Sequence, residues 1–279
     1  MNNSTVNLPI SESSINSTTL FIGQISFLEV SLCSINLLFG LPLHSYVIWL
    51  IVTQAGISTD FFSLNLSVCE IGVCIDSLFT ILSLWFSSLE MLALLLSGLG
   101  MTGRPLFQCM ICVERYLAVV HPVTFLKFRP LRYRAIFSTA GWAICLCFCF
   151  SCIFLLVSYK MYVYAWFFSV PMILVLSIKL FCCLAVLRAL KQSGPGERGR
   201  EREDENLRKK RVFQHILIIT VTMIIIYIPF TLAGFIFIFT NQYIPALWLI
   251  GVISYTLAAF VQPVLYLLRY GKIPCFPKP

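Results

Sequence analysis

Seven long apolar blocks separated by short polar segments organise the chain, at about 28–52, 61–85, 91–119, 136–158, 163–187, 212–238 and 246–268. Each can cross a hydrocarbon core of about 30 Å, which takes about 20 residues as a helix. Lipid offers no partner to an open backbone amide, so helices are the reading. The runs do not alternate as the short strands of a membrane β-barrel would. Polar residues interrupt the third and sixth blocks, which lowers their score in a plain hydropathy scan. The pattern predicts an all-α fold, a seven-transmembrane helix bundle over 28–268, between a polar tail over 1–27 and a short tail over 269–279. The stretch from Gly194 to Arg211 mixes both charges with Gly and Pro at its start, which predicts a mobile loop at about 192–207.

Lysine and arginine orient the bundle. None precedes Arg104. One set of connecting segments holds Lys127, Arg129, Arg132 and Arg134, then nine basic residues from Arg188 to Arg211, then Arg269, Lys272 and Lys278. The other set holds only Lys160. The excess of positive charge belongs in the cytoplasm, so the N-terminus is expected outside and the C-terminus inside. Only 11% of the 279 residues are charged and 59% are hydrophobic, against about 25% charged in a soluble domain. The net charge of +8 then points to anionic membrane lipids as partners. No nucleic acid is implied, because the basic residues lie in membrane loops without interleaved aromatics.

Sequons at Asn2, Asn3 and Asn16 fit a glycosylated outer tail, or chance in a Ser/Asn-rich stretch. Asn65-Leu66-Ser67 also matches but lies inside an apolar block and is set aside. No basic n-region precedes a short apolar stretch, so no cleaved signal peptide is expected. The twelve cysteines fall almost entirely within apolar blocks, where they read as small packing residues. Cys275 follows the last block and is a palmitoylation candidate. No cysteine spacing suits zinc, and no cofactor or metal is expected.

Further landmarks sit at particular helix positions. Glu114-Arg115-Tyr116 closes the third block and runs on as "LAVVHP"; Trp142 stands mid-way in the fourth; Pro171, Pro229 ("YIPF") and Pro263 ("QPVLY") lie in the last three. A membrane proline frees a carbonyl and makes a hinge. This combination resembles the rhodopsin-like family of G-protein-coupled receptors over about residues 28–270. Gly40-Leu41-Pro42 and "LSVCE" (66–70) are similar to its first- and second-helix signatures. The stretch "CVERYLAVVHPVTFLKFRPLRYR" is most similar to the branch of nucleotide, protease-activated and lipid receptors. The resemblance implies plasma-membrane localisation, an extracellular ligand and a heterotrimeric G protein as partner. It implies a switch built from Glu114, Arg115, Tyr116, Tyr227, Pro229, Gln262, Pro263 and Tyr266. In it Glu114 holds Arg115 until the sixth helix tilts outward. The segment from Pro122 to Arg134 and the basic start of the sixth helix supply the rest of the G-protein surface.

The departures from the family pattern are informative. His44, Glu70, Lys179, Tyr227 and Gln262 replace the usual Asn, Asp, Tyr, Trp and Asn. Glu90 stands where the outer disulfide cysteine belongs, so that bridge is expected to be absent. Arg104, eleven residues before Arg115, falls where a serine faces the second-helix acid. A lone charge at mid-bilayer costs about 2.5–3.5 kcal/mol on the most lenient scale. A Glu70–Arg104 pair offsets that, and the guanidinium then fills the place where family members hold sodium. The alternative is a protonated Glu70 with Arg104 facing elsewhere. No Ser or Thr follows Thr256, which predicts weak arrestin recruitment.

By family position the ligand pocket is expected to involve Ser97, Phe230, Gly234, Val252 and Thr256, with Asp76 and Glu90 nearer the mouth. An opsin is disfavoured, since Thr256 stands where the retinal lysine belongs. An amine receptor is disfavoured because it needs a third-helix aspartate, and Ser97 occupies that position. A transporter would show internal repeats or broken half-helices, and an intramembrane enzyme a nucleophile–base pair or metal ligands. Neither pattern is present, and no enzyme activity is expected. A receptor-fold protein that does not signal, acting as decoy or dimerisation partner, is the main alternative.

Overall fold

The computed structural model describes residues 27–56, 60–158, 161–192, 224–225, 227–240 and 244–269. The sequons Asn2, Asn3 and Asn16, Lys160, the loop at about 192–207, the basic start of the sixth block and Cys275 lie outside them. The described residues form helices and no strands. We number the membrane helices α1 (27–55), α2 (Phe61–Ser83), α3 (Glu90–Val120), α4 (Leu131–Val157), α5 (Met161–Gln192), α6 (Tyr227–Thr240) and α7 (Pro245–Arg269). The chain is thus a helical bundle of seven apolar segments. α1, α2, α4, α5 and α7 are each long and apolar enough to cross a membrane. α3 has the length, 31 residues, but carries Arg104, Glu114 and Arg115.

The segment between α3 and α4 contains a helix of its own, Pro122–Phe128, which the apolar pattern did not reveal. Pro122 occupies its first turn, where a missing N–H costs nothing. α1 is not a uniform α-helix. A π-turn at Asn36–Gly40 leads directly into Leu41-Pro42. Widening the helix there makes room for the proline ring, which would otherwise strike the carbonyl four residues back.

α3 is the central strut, packing on α2, α4 and α5, while α1 packs on α2 and α7. Leu66, Cys69, Leu99, Phe107, Cys145 and Cys149 form one buried cluster between α2, α3 and α4. Val47, Leu50, Ile51, Tyr266 and Leu267 form another between α1 and α7. Met172, Tyr227 and Ala258 join α5, α6 and α7. No disulfide forms among the described cysteines. Asn65 Oδ1 accepts from Ser138 Oγ (2.7 Å) and Trp142 Nε1 (2.9 Å), so the amide of that internal sequon ties α2 to α4.

The α3–α4 seam depends on one glycine. A Cβ on Gly98 would lie 2.8 Å from the Cα of Cys149, which is backbone and cannot swing aside. Gly98→Ala is expected to push the helices apart and cost about 1–3 kcal/mol, the usual penalty of overpacking. Thermal unfolding of the purified protein in detergent checks this. An unchanged melting temperature means that the seam adapts.

Candidate functional site

Mid-way along α3, Arg104 is shut away from solvent, and so is Glu70 on α2, with side chains 1% and 3% exposed. Arg104 Nε donates to Glu70 Oε1 at 2.5 Å and Nη2 to Oε2 at 2.7 Å. Two parallel bonds of this kind are the strongest geometry open to a carboxylate and a guanidinium. The third arm, Nη1, donates to the backbone carbonyl of Tyr255 on α7 at 2.7 Å. The guanidinium carbon also lies 4.3 Å from the centre of the Tyr255 ring. Tyr255 in turn donates its hydroxyl to the carbonyl of Gly100. One arginine therefore joins α2, α3 and α7. Just beyond the pair is a small cavity lined by His44, Ser63, Ser67, Glu70, Gln262 and Tyr266, among others, with room for about one water.

A second arrangement lies at the end of the bundle that carries the basic residues. Asp60 precedes α2 at its N-cap position, where an aspartate ordinarily accepts from the first turn's amides. Here it makes no cap hydrogen bond. Its Oδ1 lies 3.3 Å from Arg115 Nη2, and Tyr266 donates its hydroxyl to Oδ2 at 3.4 Å. The Asp60 side chain is completely buried, whereas that of Arg115 is 38% exposed. This corrects the expectation that Glu114 holds Arg115. Adjacent residues on a helix diverge by about 100°, so Glu114 and Arg115 leave α3 in different directions. Glu114 turns instead to α4 and meets Arg134 Nη2 at 2.6 Å. Tyr116 is on the same end, its hydroxyl 3.0 Å from His121 Nε2.

Between these two levels, Lys179 of α5 is buried. Its ammonium donates to Gln108 Oε1 at 3.1 Å and lies 4.8 Å from the Tyr227 ring centre. Tyr227 donates to the same Gln108 oxygen at 2.9 Å. Lys179 and Tyr227 thus share one amide on α3, apart from Gln262 and Tyr266, which line the cavity beside Glu70.

Buried polar ties across α2, α3, α5, α6 and α7, with an exposed arginine at one end, describe a bundle that can be rearranged. The family model of the seven-transmembrane receptors (rhodopsin family) matches residues 44–266, well over half of the chain. The chain belongs to the rhodopsin family of receptors. It is a multi-pass membrane protein. No curated protein matches it.

In this receptor both Glu70 oxygens are taken by Arg104. Among the described residues no group of three His, Cys, Asp or Glu could hold a metal ion. The expected ligand residues are scattered in what they touch. Ser97 donates to the carbonyl of Leu94 and lies 3.7 Å from Cys152 Sγ. Phe230 packs on Tyr255, with ring centres 5.5 Å apart. A Cβ on Gly234 would reach within 2.5 Å of Ser169 Oγ, so that face of α6 abuts α5. Thr256 donates back to the carbonyl of Val252 within α7. Pro229 and Pro263 lie within α6 and α7.

Three residues of the receptor's polar ties escaped the motif reading: Asp60, Gln108 and Tyr255. Asp60 had a readable signal, an acid just ahead of an apolar block, but that signal reads as a cap. Gln108, a buried amide amid apolar residues, could have been singled out by polarity alone. Tyr255 had no distinguishing signal.

Proposed function

We propose that this receptor carries the binding of an extracellular ligand to a heterotrimeric G protein at the plasma membrane, with its N-terminus outside. The observation that supports this most directly is Arg115, half-exposed at the basic end of α3 and held there by a carboxylate that is itself bound to α7 through Tyr266. Such an arginine is restrained at rest and can turn to a partner when the helices shift. Val123 and Leu126 stand exposed on the neighbouring loop helix and would join that partner surface. The Glu70–Arg104 pair acts as the receptor's own tethered cation, and we propose that it makes the protein insensitive to sodium. Nucleotide exchange on purified G proteins, with and without Arg115→Ala, tests the reading. Exchange is expected with the wild type and lost in the variant. Equal exchange in both is expected instead from a receptor-fold protein that does not signal, a reading favoured by the extra tie of Lys179 and Tyr227 to Gln108.

A further inference from the structure

Lys127, Arg129, Arg132 and Arg134 stand where the loop helix Pro122–Phe128 meets the start of α4, and the structure divides them. Arg134 is drawn inward and is 5% exposed. It pairs with Glu114 of α3 at 2.6 Å and lies over the Phe125 ring, 5.9 Å from its centre. Lys127, Arg129 and Arg132 stay exposed and form no salt bridge among the described residues. The described acids at this end are already engaged, Glu114 with Arg134 and Asp60 with Arg115.

Ring contacts gather the three free cations. Phe128 lies between Lys127 and Arg129 in the chain and packs edge-on against Tyr133, the neighbour of Arg132, with ring centres 5.6 Å apart. It also meets Phe137 at 6.4 Å. The loop helix is thereby pinned to the foot of α4, and its cations are brought beside Arg132. Like charges held together repel, and a polyanion set on them removes that cost. What lies against this corner follows from α4. Arg132, Ile136, Thr139, Ala143 and Phe150 fall on one helical face, and all are exposed. Thr139 returns its hydroxyl to the carbonyl of Ala135 at 2.9 Å, so it asks for no outside partner. In a multi-pass membrane protein such a face meets lipid tails, and its foot, at Arg132, meets headgroups. Tyr133, 39% exposed, suits the same level, where tyrosine is enriched. An acidic protein in solution would match the charge but not the tail-facing surface that continues from it.

We infer that Lys127, Arg129 and Arg132 form a docking site for one phospholipid whose headgroup carries several phosphates, seated at the foot of α4. A guanidinium grips phosphate through two parallel bonds. Three cations exceed what a single phosphodiester can neutralise, so the site selects a polyphosphorylated inositol headgroup over phosphatidylserine. Val123 and Leu126, assigned above to the G-protein surface, take no part in it.

The test is native mass spectrometry of the full chain in detergent, titrated with phosphatidylinositol bisphosphate or with phosphatidylserine. The wild type is expected to retain one inositol lipid in preference to phosphatidylserine. The triple variant Lys127→Gln, Arg129→Gln, Arg132→Gln is expected to weaken that retention by about 100-fold, and Arg132→Gln alone by about fivefold. A second triple variant, Arg208→Gln, Lys209→Gln, Lys210→Gln, removes the same net charge elsewhere in the chain and is expected to keep the lipid. Without lipid, the first triple variant is expected to melt as the wild type does, because exposed charges contribute little to the fold. The inference is overturned by any of four outcomes: no inositol lipid retained by the wild type, equal retention of phosphatidylserine, unchanged retention in the first triple variant, or equal loss in both triple variants. Should the first triple variant melt low, Arg132→Gln decides alone, and full retention in it overturns the inference. No G protein is present, so the outcome does not depend on the signalling reading.

Discussion

Replacing Arg104 with methionine is expected to cost the receptor about 3–5 kcal/mol, the penalty for stranding one member of a buried ion pair. Glu70 would be left at 2% exposure with both oxygens bereft, and the Tyr255 carbonyl would lose its donor as well. Glu70→Gln should be damaging for the mirrored reason. It leaves a guanidinium within an apolar core, facing an amide that can accept only at one atom. The double variant Glu70→Gln with Arg104→Met should be much milder than the sum, because a neutral pair of similar volume needs no compensation. Melting temperatures of surface-expressed, purified protein give the coupling, and a value near zero would mean that the two residues do not act as a pair. In the same melts, exchanging sodium for potassium should not move the wild type.

The second large effect is expected at Asp60. Asp60→Asn keeps the shape of the side chain but removes the charge that holds Arg115. Coupling between elements of a switching protein is commonly about 1–3 kcal/mol, or roughly 5- to 150-fold in a population. Basal G-protein nucleotide exchange should therefore rise by about fivefold or more. Glu114→Gln should do less, since the carboxylate it removes faces Arg134 rather than Arg115. Unchanged basal exchange in Asp60→Asn would mean that the Asp60–Arg115 contact restrains nothing.

How far the sequence reaches is clear from these two places. The helices were readable because hydrocarbon demands long apolar runs, and α2, α3 and α7 begin and end within a few residues of their blocks. The blocks holding α3 and α6 were the weak ones, because the residues that tie the bundle together are the same ones that lower hydropathy. Arg104 could be aimed at Glu70 because a lone charge in lipid is so costly that few arrangements survive. The choice of partner for Arg115 is different. Near the membrane surface charges are cheaper, two acids (Asp60 and Glu114) stand at this end among the described residues, and side-chain direction decides. The family resemblance pointed to Glu114, but its carboxylate faces Arg134 on α4. Asp60 was hidden by its own plausibility as a capping residue, and the structure shows the cap left undone.

The buried pair also bears on how the chain is made. A helix leaving the translocon with an unpaired arginine at its centre is penalised by about 2.5–3.5 kcal/mol. α3 brings Arg104 and α2 brings its partner Glu70, and only residues 84–89 separate the two helices. The favourable route is for α2 to wait at the insertion site until α3 has been synthesised, so that the two enter the bilayer as a hairpin with the acid and the arginine already joined.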